Sequence, residues 1–527
     1  MMMSENPGPN FTEAVTGLAA VFADASFTAD GIAAHLGPDV TEALYRGEPG
    51  VVAHACRDGS RLSRLIRFFL LREPSAADEL AELTSPTLAL QLIDAHVVAH
   101  LPSGEVQVAF DLRPHVIAGE NRLIVSDLDA SVTEHVPGPE HVLGVGSASL
   151  SLLSATPCSP VDTVLDVGTG SGVQAVAQSG CATRVVATDV HPRALELARA
   201  TLVANGIGNV ELREGSWFDP VAGERFDRIV ANPPFVVGLP EVSHVYRDSG
   251  LWLDEASKLV VGQAPEHLAD GGTAHILASW VHLTHGSWES RVASWLPPTG
   301  VSAWVVQRDE VDPGMYVSTW LRDESVDPRS RSGIRRTQLW LDHFASEGVR
   351  AVGFGWVFLR DIGDNPSEVT AESLTHPFTD PLGPEVEEYF LRMEWLRGRG
   401  LDDVLAARFL VRPGLALEEV SVADTGTGMG FSPRVLRATR TDGPRFSHEI
   451  DETVRSVLAG LNPRGLSLAD VVGLWSASRG LDDAAADELA RASASAVVDL
   501  VRHGLIIPAD IADLTNLSVL PDTPPAR

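Results

Sequence analysis

The segment Thr163-Val-Leu-Asp166-Val-Gly168-Thr-Gly170-Ser-Gly172 constrains the chain more than any other. A short apolar run that ends in glycine reads as a buried strand. The glycines at alternate positions form a turn, and GVQAVAQSG continues as a helix. Such a turn lets a ligand approach the backbone and reach the helix N-terminus. A second strand, RVVATDV, ends at Asp189, 23 residues after Asp166. An acid there is placed to accept hydrogen bonds from ribose hydroxyls. The same spacing serves nicotinamide dinucleotides, so these two features leave the cofactor open.

From about 139 to 361, strands and helices alternate. PRALELARATLVANG is helical, and NVELREGSWF, DRIVANPPF, TAHILASWVHL, SAWVVQRDEV and AVGFGWVFLRD are strand-like. This alternation predicts a parallel sheet covered on both faces. Ahead of it, Phe11 to about Leu83 carries apolar residues three and four apart, the helical period, with Thr28 or Asp30 to cap the second helix. From about Thr87 to Asp129 the period becomes alternation, which predicts some three strands beginning at LALQLIDAHVVAHL, with PSGE as a turn. HVPGPEH (135–141) reads as a joint, and the polar, Thr- and Pro-rich EVTAESLTHPFTDPLGP (368–384) as a linker. Beyond it, strand-like and helical stretches end in helix, helix, longer helix and an apolar exit, the outline of a winged helix. The domains expected are therefore 11–85 (helical), 86–137 (β-rich), 138–367 (α/β) and 385–520 (α+β).

Composition narrows the partners. The 527 residues carry 71 acidic against 40 basic side chains, a net charge of −31. Nucleic acid and anionic membranes are bound chiefly by Lys and Arg, so this balance argues against a protein that coats either. The three cysteines, Cys56, Cys158 and Cys181, show no ligand spacing, so no metal site is expected. No apolar stretch approaches the roughly 20 residues of a membrane span, and the start lacks a signal-peptide pattern, so a cytoplasmic protein is expected.

Asn232-Pro233-Pro234-Phe235, at the end of DRIVANPPF, decides the chemistry. The Asn232 side chain and the following backbone carbonyl are suited to accept hydrogen bonds from a planar NH2 group. Its nitrogen then loses conjugation and points its lone pair at an electrophile. Two prolines fix the backbone, so the acceptors are preorganised, and Phe235 is suited to stack on a flat substrate.

Together these residues resemble the class I S-adenosylmethionine-dependent methyltransferases, in the branch with an NPP-aromatic motif, over about 139–361. The resemblance implies an α/β fold with a Rossmann-like seven-stranded sheet, flanked here by an N-terminal helical plus β region and a C-terminal α+β winged-helix-like domain. It implies S-adenosyl-L-methionine as cofactor. Gly168, Gly170 and Gly172 would border its methionine part, Asp166 would help fix its amino group, and Asp189 would bind the ribose. Ser216 stands where many members have an Asp facing the adenine, and Trp217 or Phe218 would flank that ring. Asn232, Pro233 and Phe235 would form the catalytic motif, and Asn232 would also border the cofactor. HVLGVGSAS (141–149) resembles the lead-in that closes over the cofactor, and His244, Tyr246 and Arg247 would line the substrate cleft.

NPP-aromatic enzymes divide among glutamine amides and the exocyclic amines of adenine and guanine. GSWFDPVAGERFDRIVANPPF resembles the release-factor glutamine methyltransferases, whereas Phe235 in place of Tyr is similar to the ribosomal-RNA guanine-N2 methyltransferases. The whole chain resembles an actinobacterial methyltransferase group with accessory domains at both ends. A protein glutamine is the acceptor favoured by the acidic composition. RNA (guanine N2 or adenine N6), a small-molecule amine and a non-catalytic cofactor-binding scaffold are the alternatives. The last long helix opens DDAAADELA, acidic where a DNA-reading helix offers Arg, Lys, Asn or Gln, so no DNA-specific binding is expected. The terminal domains offer contacts for a homo-oligomer. RLSRLIRFFLLR reads as a packed amphipathic helix before an RNA contact.

Overall fold

The computed structural model describes residues 6–128, 138, 140–238, 250–323 and 326–514. The chain divides into two compact units, Met1–Leu153 with Cys158–Thr375, and Ser154–Pro157 with His376–Arg527.

The first unit opens with seven short helices: α1 (Phe11–Asp24), α2 (Ala29–Leu36), α3 (Pro38–Tyr45), α4 (Pro49–Ala55), α5 (Arg61–Leu65), α6 (Ala77–Leu83) and α7 (Pro86–Asp94). Thr28 caps α2, its Oγ1 accepting from Gly31 N at 3.0 Å. α5 runs into a wide turn, Ile66–Leu70, that buries Ile66, Phe68 and Phe69. The arginines of this stretch face carboxylates: Arg61 pairs with Asp24, Arg64 with Glu82 and Arg67 with Glu73. The stretch is a packed amphipathic segment, as its pattern implies.

LALQLID is helix α7, not the strand expected from its alternation. Ser85 accepts from Leu88 N at 3.1 Å and Pro86 occupies the first turn, so a capped start decides the conformation. Two hairpins follow: β1 (Val98–His100) with β2 (Val106–Val108), and β3 (Asp111–Ile117) with β4 (Glu120–Ser126). A single apolar core runs from Phe11 through Leu92 and Leu112 to Val142, so no break in packing marks residues 85–86.

The α/β part contains α8 (Ser147–Ala155), β5 (Val161–Val167), α9 (Val173–Ser179), β6 (Ala182–Asp189), α10 (Pro192–Ala204), β7 (Val210–Glu214) and β8 (Phe226–Ala231). Then come α11 (Glu255–Gln263), β9 (Leu268–Leu283), α12 (Trp288–Ala293), β10 (Thr299–Val311), α13 (Pro313–Asp323), α14 (Arg331–Ser346), β11 (Val349–Pro366) and β12 (Glu368–Ser373). The sheet order is β12-β10-β11-β9-β8-β5-β6-β7. Two features differ from expectation. β11 runs antiparallel to both its neighbours, so the sheet is mixed. An eighth strand, β12, adds to the seven expected, pairing in parallel with β10 from Ser302↔Glu368 to Gln307↔Ser373. β12 comes from the stretch read as linker. An edge strand of half-buried polar residues shows no apolar run to betray it.

The second unit holds α15 (Gly383–Leu396), α16 (Leu401–Ala406), β13 (Phe409–Val411), β14 (Leu415–Ala423), β15 (Phe431–Arg440), β16 (Ser447–Ile450), α17 (Glu452–Gly460), α18 (Leu468–Ser478), α19 (Asp483–Arg502) and β17 (Ile506–Pro508). β14, β15 and β16 form one sheet, and β13 pairs antiparallel with β17. The three helices and the exit strand of the expected winged-helix outline are α17 to β17, and among the described residues no hairpin follows β17. Arg392, Arg412 and Arg440 are buried here and bonded to Glu385, Glu388 and Asp442, three cations against three anions. Among the described residues, no helix is long and apolar enough to cross a membrane.

Candidate active site

The strand ends of β5, β6 and β7 are knotted together by backbone bonds. Gly168 N and Thr169 N both donate to Thr188 O, at 2.9 and 2.8 Å, and Gly215 N donates to Asp189 O at 3.0 Å. Above these ends lies a cavity of about 530 Å³, lined by Gly168, Gly170, Asp189, Ser216, Trp217, Asn232 and Pro233, among others. Its volume is that of a small-molecule site.

Gly168 and Gly170 have φ of 73° and 55°, a region that favours glycine, and a Cβ added at either would stand in open space. They cradle the cavity. Gly172 does not line it. With φ 88° it precedes α9, and an added Cβ would meet Ala198 Cβ on α10 at 3.5 Å, so this glycine serves helix packing.

Asp166 is also absent from the cavity wall, against its expected place beside the ligand. It is 1% exposed, and its Oδ2 accepts from Thr169 Oγ1 at 2.7 Å and from Ala175 N at 3.1 Å. It holds the turn from behind. Burial pushes its carboxyl up to about 7, against the lowering effect of those two donors. Asp189 does face the cavity. Its Oδ1 accepts from His191 N and its Oδ2 from Gly170 N, both at 2.9 Å. Burial raises its pKa, and these backbone donors oppose the rise.

Trp217 lines the cavity at φ 49°, a costly conformation for a bulky residue and one that clusters at functional sites. Phe218 points the other way, 4% exposed and stacked on His267 at 4.8 Å, so it is core and not an adenine flank. Asn232 and Pro233 stand in the wall at the end of β8. Phe235 does not. Its ring meets Phe354 edge to face at 6.4 Å, and its carbonyl accepts from Ser279 Oγ at 2.5 Å. Two residues on, Val237 N donates to Tyr316 Oη at 2.6 Å, so β9 and α13 anchor the far side of the motif. His244, Tyr246 and Arg247 lie outside the described residues.

The lead-in contributes Leu143 to Gly146, and Ser171 Oγ ties it to the glycine turn by donating to Leu143 O at 2.7 Å. The wall also holds residues that the motif reading missed: Asp111, Arg113 and His115 on β3, Asp127 after β4, and His191. The available signal was DLRPH, in which polar side chains fall on every second position of a strand. Among the described residues no cluster of His, Cys, Asp or Glu is placed to hold a metal ion.

The cavity suits S-adenosylmethionine on its own features. Its two open glycines form a cradle, a half-buried acid stands at the end of β6, and its wall is rich in carboxylates that favour a ligand bearing cationic groups. Comparison with known proteins agrees. Residues 143–282 match the methyltransferase small domain. The release factor glutamine methyltransferase of Yersinia pestis is 33% identical over 208 residues, 37% of this chain and 70% of that protein. The chain belongs to the methyltransferase small domain family. The release factor glutamine methyltransferase of Xylella fastidiosa is 34% identical over 144 residues, 25% of this chain and 48% of that protein. The ribosomal RNA small subunit methyltransferase C of Escherichia coli is 36% identical over 155 residues, 29% of this chain and 41% of that protein. The chain spans about half the length of the first curated relatives it matches. Residues 24–109 and 387–508 match two domains of unknown function, DUF7059 and DUF7782. The methyltransferase small domain match opens at Leu143 and closes at His282, so it includes the glycine turn, Asp189 and Asn232 and excludes Asp111, Arg113 and His115.

Proposed function

We propose that the protein is an S-adenosylmethionine-dependent N-methyltransferase of the cytoplasm whose acceptor is a protein glutamine side-chain amide. The observation that carries this reading is Asn232, backed by two prolines, in one cavity wall with Gly168, Gly170 and Asp189. Asp189 takes the ribose hydroxyls, Gly168 and Gly170 border the methionine part, and Ser216 and Trp217 flank the adenine. When bound, the cofactor supplies a methyl group already electrophilic on its sulfonium. The chain's task is then alignment. The Asn232 side chain and the following carbonyl accept the two N–H bonds of the planar amide, which turns its nitrogen lone pair toward the methyl group. Pro233 and Pro234 hold these acceptors in place before the substrate arrives.

Glutamine is favoured by the acidic chain and by relatives named release factor glutamine methyltransferase. Guanine N2 of RNA is the second reading, supported by Phe235 and by the relative named ribosomal RNA small subunit methyltransferase C. The test is transfer of labelled methyl from S-adenosylmethionine into lysate treated with protease or ribonuclease. Label lost on protease treatment supports glutamine, label lost on ribonuclease treatment supports RNA, and no label in any fraction refutes both.

A further inference from the structure

Strand β3 joins two cores by its two faces. Leu112 packs into the N-terminal core, whereas Ile117 packs with Val173, Val176 and Ala177 of α9. Ile124, the cross-strand partner of Arg113 on β4, joins the same α9 cluster. Asp111, Arg113 and His115 share the face of Ile117, and all three reach the cavity. They come in beside α9 and the lead-in. Val173, the first residue of α9 after the glycine turn, packs with Ile117 and lines the cavity with them.

The charges there are unequal. Among the described lining residues, Asp111, Asp127, Glu140, Asp189 and Asp323 are carboxylates, and Arg113 alone carries a permanent positive charge. Arg113 is mostly buried and pairs with Asp111 at 3.3 Å. A ligand with an amino-acid end brings one carboxylate into this acidic cavity, and a carboxylate removed from water needs a cation or N–H donors. We infer that Arg113, oriented by Asp111, binds the α-carboxylate of the cofactor's amino-acid end, so the N-terminal region completes the cofactor site. The inference rests on the S-adenosylmethionine reading above.

Calorimetry on the full chain tests it with three probes: S-adenosylhomocysteine, its decarboxylated analogue, and 5′-methylthioadenosine, which lacks the amino-acid end. Arg113→Ala should weaken S-adenosylhomocysteine about 10- to 100-fold and leave 5′-methylthioadenosine unchanged, as befits a lost charge-assisted bond. Arg113→Lys should recover part of that loss. The wild type should lose a similar factor for the decarboxylated analogue, a measurement that needs no variant to fold. Equal weakening of all probes in Arg113→Ala, unchanged affinity for S-adenosylhomocysteine, or a wild type indifferent to the missing carboxylate would each overturn the assignment. A wild type that binds none of the probes overturns the cofactor reading itself.

Discussion

Asp189 at the end of β6 accepts a hydrogen bond from the backbone N–H of Gly170, 2.9 Å away across the sheet. The acid and the glycine turn are therefore one device. The carboxylate that faces the cavity also fixes the loop that cradles it.

Asp189→Ala removes a ligand acceptor and a loop anchor together. Affinity for S-adenosylmethionine should fall by roughly 1–3 kcal/mol, the scale of hydrogen bonds to a charged group. Isothermal titration measures it, and unchanged affinity would take Asp189 out of the ribose site.

Asn232→Ala leaves the glycine turn and Asp189 untouched. Methyl transfer should be abolished while cofactor affinity stays within a few fold. Normal turnover in this variant would refute the role given to Asn232.

The Asp166 carboxyl titrates at about 7 in the folded chain, against 3.8 for an ordinary aspartate. Between these values the folded state binds more protons than the unfolded one, so stability falls as pH rises through the window. Asp166→Asn removes the titration and keeps an oxygen where Oδ2 accepts from Thr169 and Ala175. The variant should gain on the wild type from pH 4 to pH 7, by an amount on the order of a few kcal/mol. Parallel denaturation profiles across this range would contradict the assignment.

Asp127 and Arg193 form a buried pair between the end of β4 and the first turn of α10, with Nε to Oδ2 at 3.2 Å. Arg193→Ala takes this cation from a buried carboxylate that keeps Val142 N as a donor at 2.9 Å, and should cost about 3–5 kcal/mol. An apolar replacement of both residues, Asp127→Leu with Arg193→Met, should recover much of that loss. Chemical denaturation of the three chains decides it, and a single variant as stable as the wild type would sink the idea.

Where the sequence misled, the reasons are local and specific. LALQLID alternates over too few residues to separate strand from helix, and the cap at Ser85 settled the matter. EVTAES is polar because β12 is an edge strand, so its composition matched a linker. Asp166 and Gly172 sit at motif positions yet face away from the cavity. Spacing along the chain does not say which side of a turn a side chain takes.

The sequence by itself determined the strand–turn–helix with its open glycines, the acid closing the second strand and the rigid Asn-Pro-Pro motif. Each depends on backbone conformation and chemistry within a few residues. Only the tertiary structure decided that Asp166 braces the turn from behind, that β12 widens the sheet, and that β3 brings Arg113 to a cavity whose glycine turn begins at Gly168. The last depends on the packing of β3 and β4 against α9 and α10. Burial of apolar surface drives that packing, and it joins residues far apart in the chain.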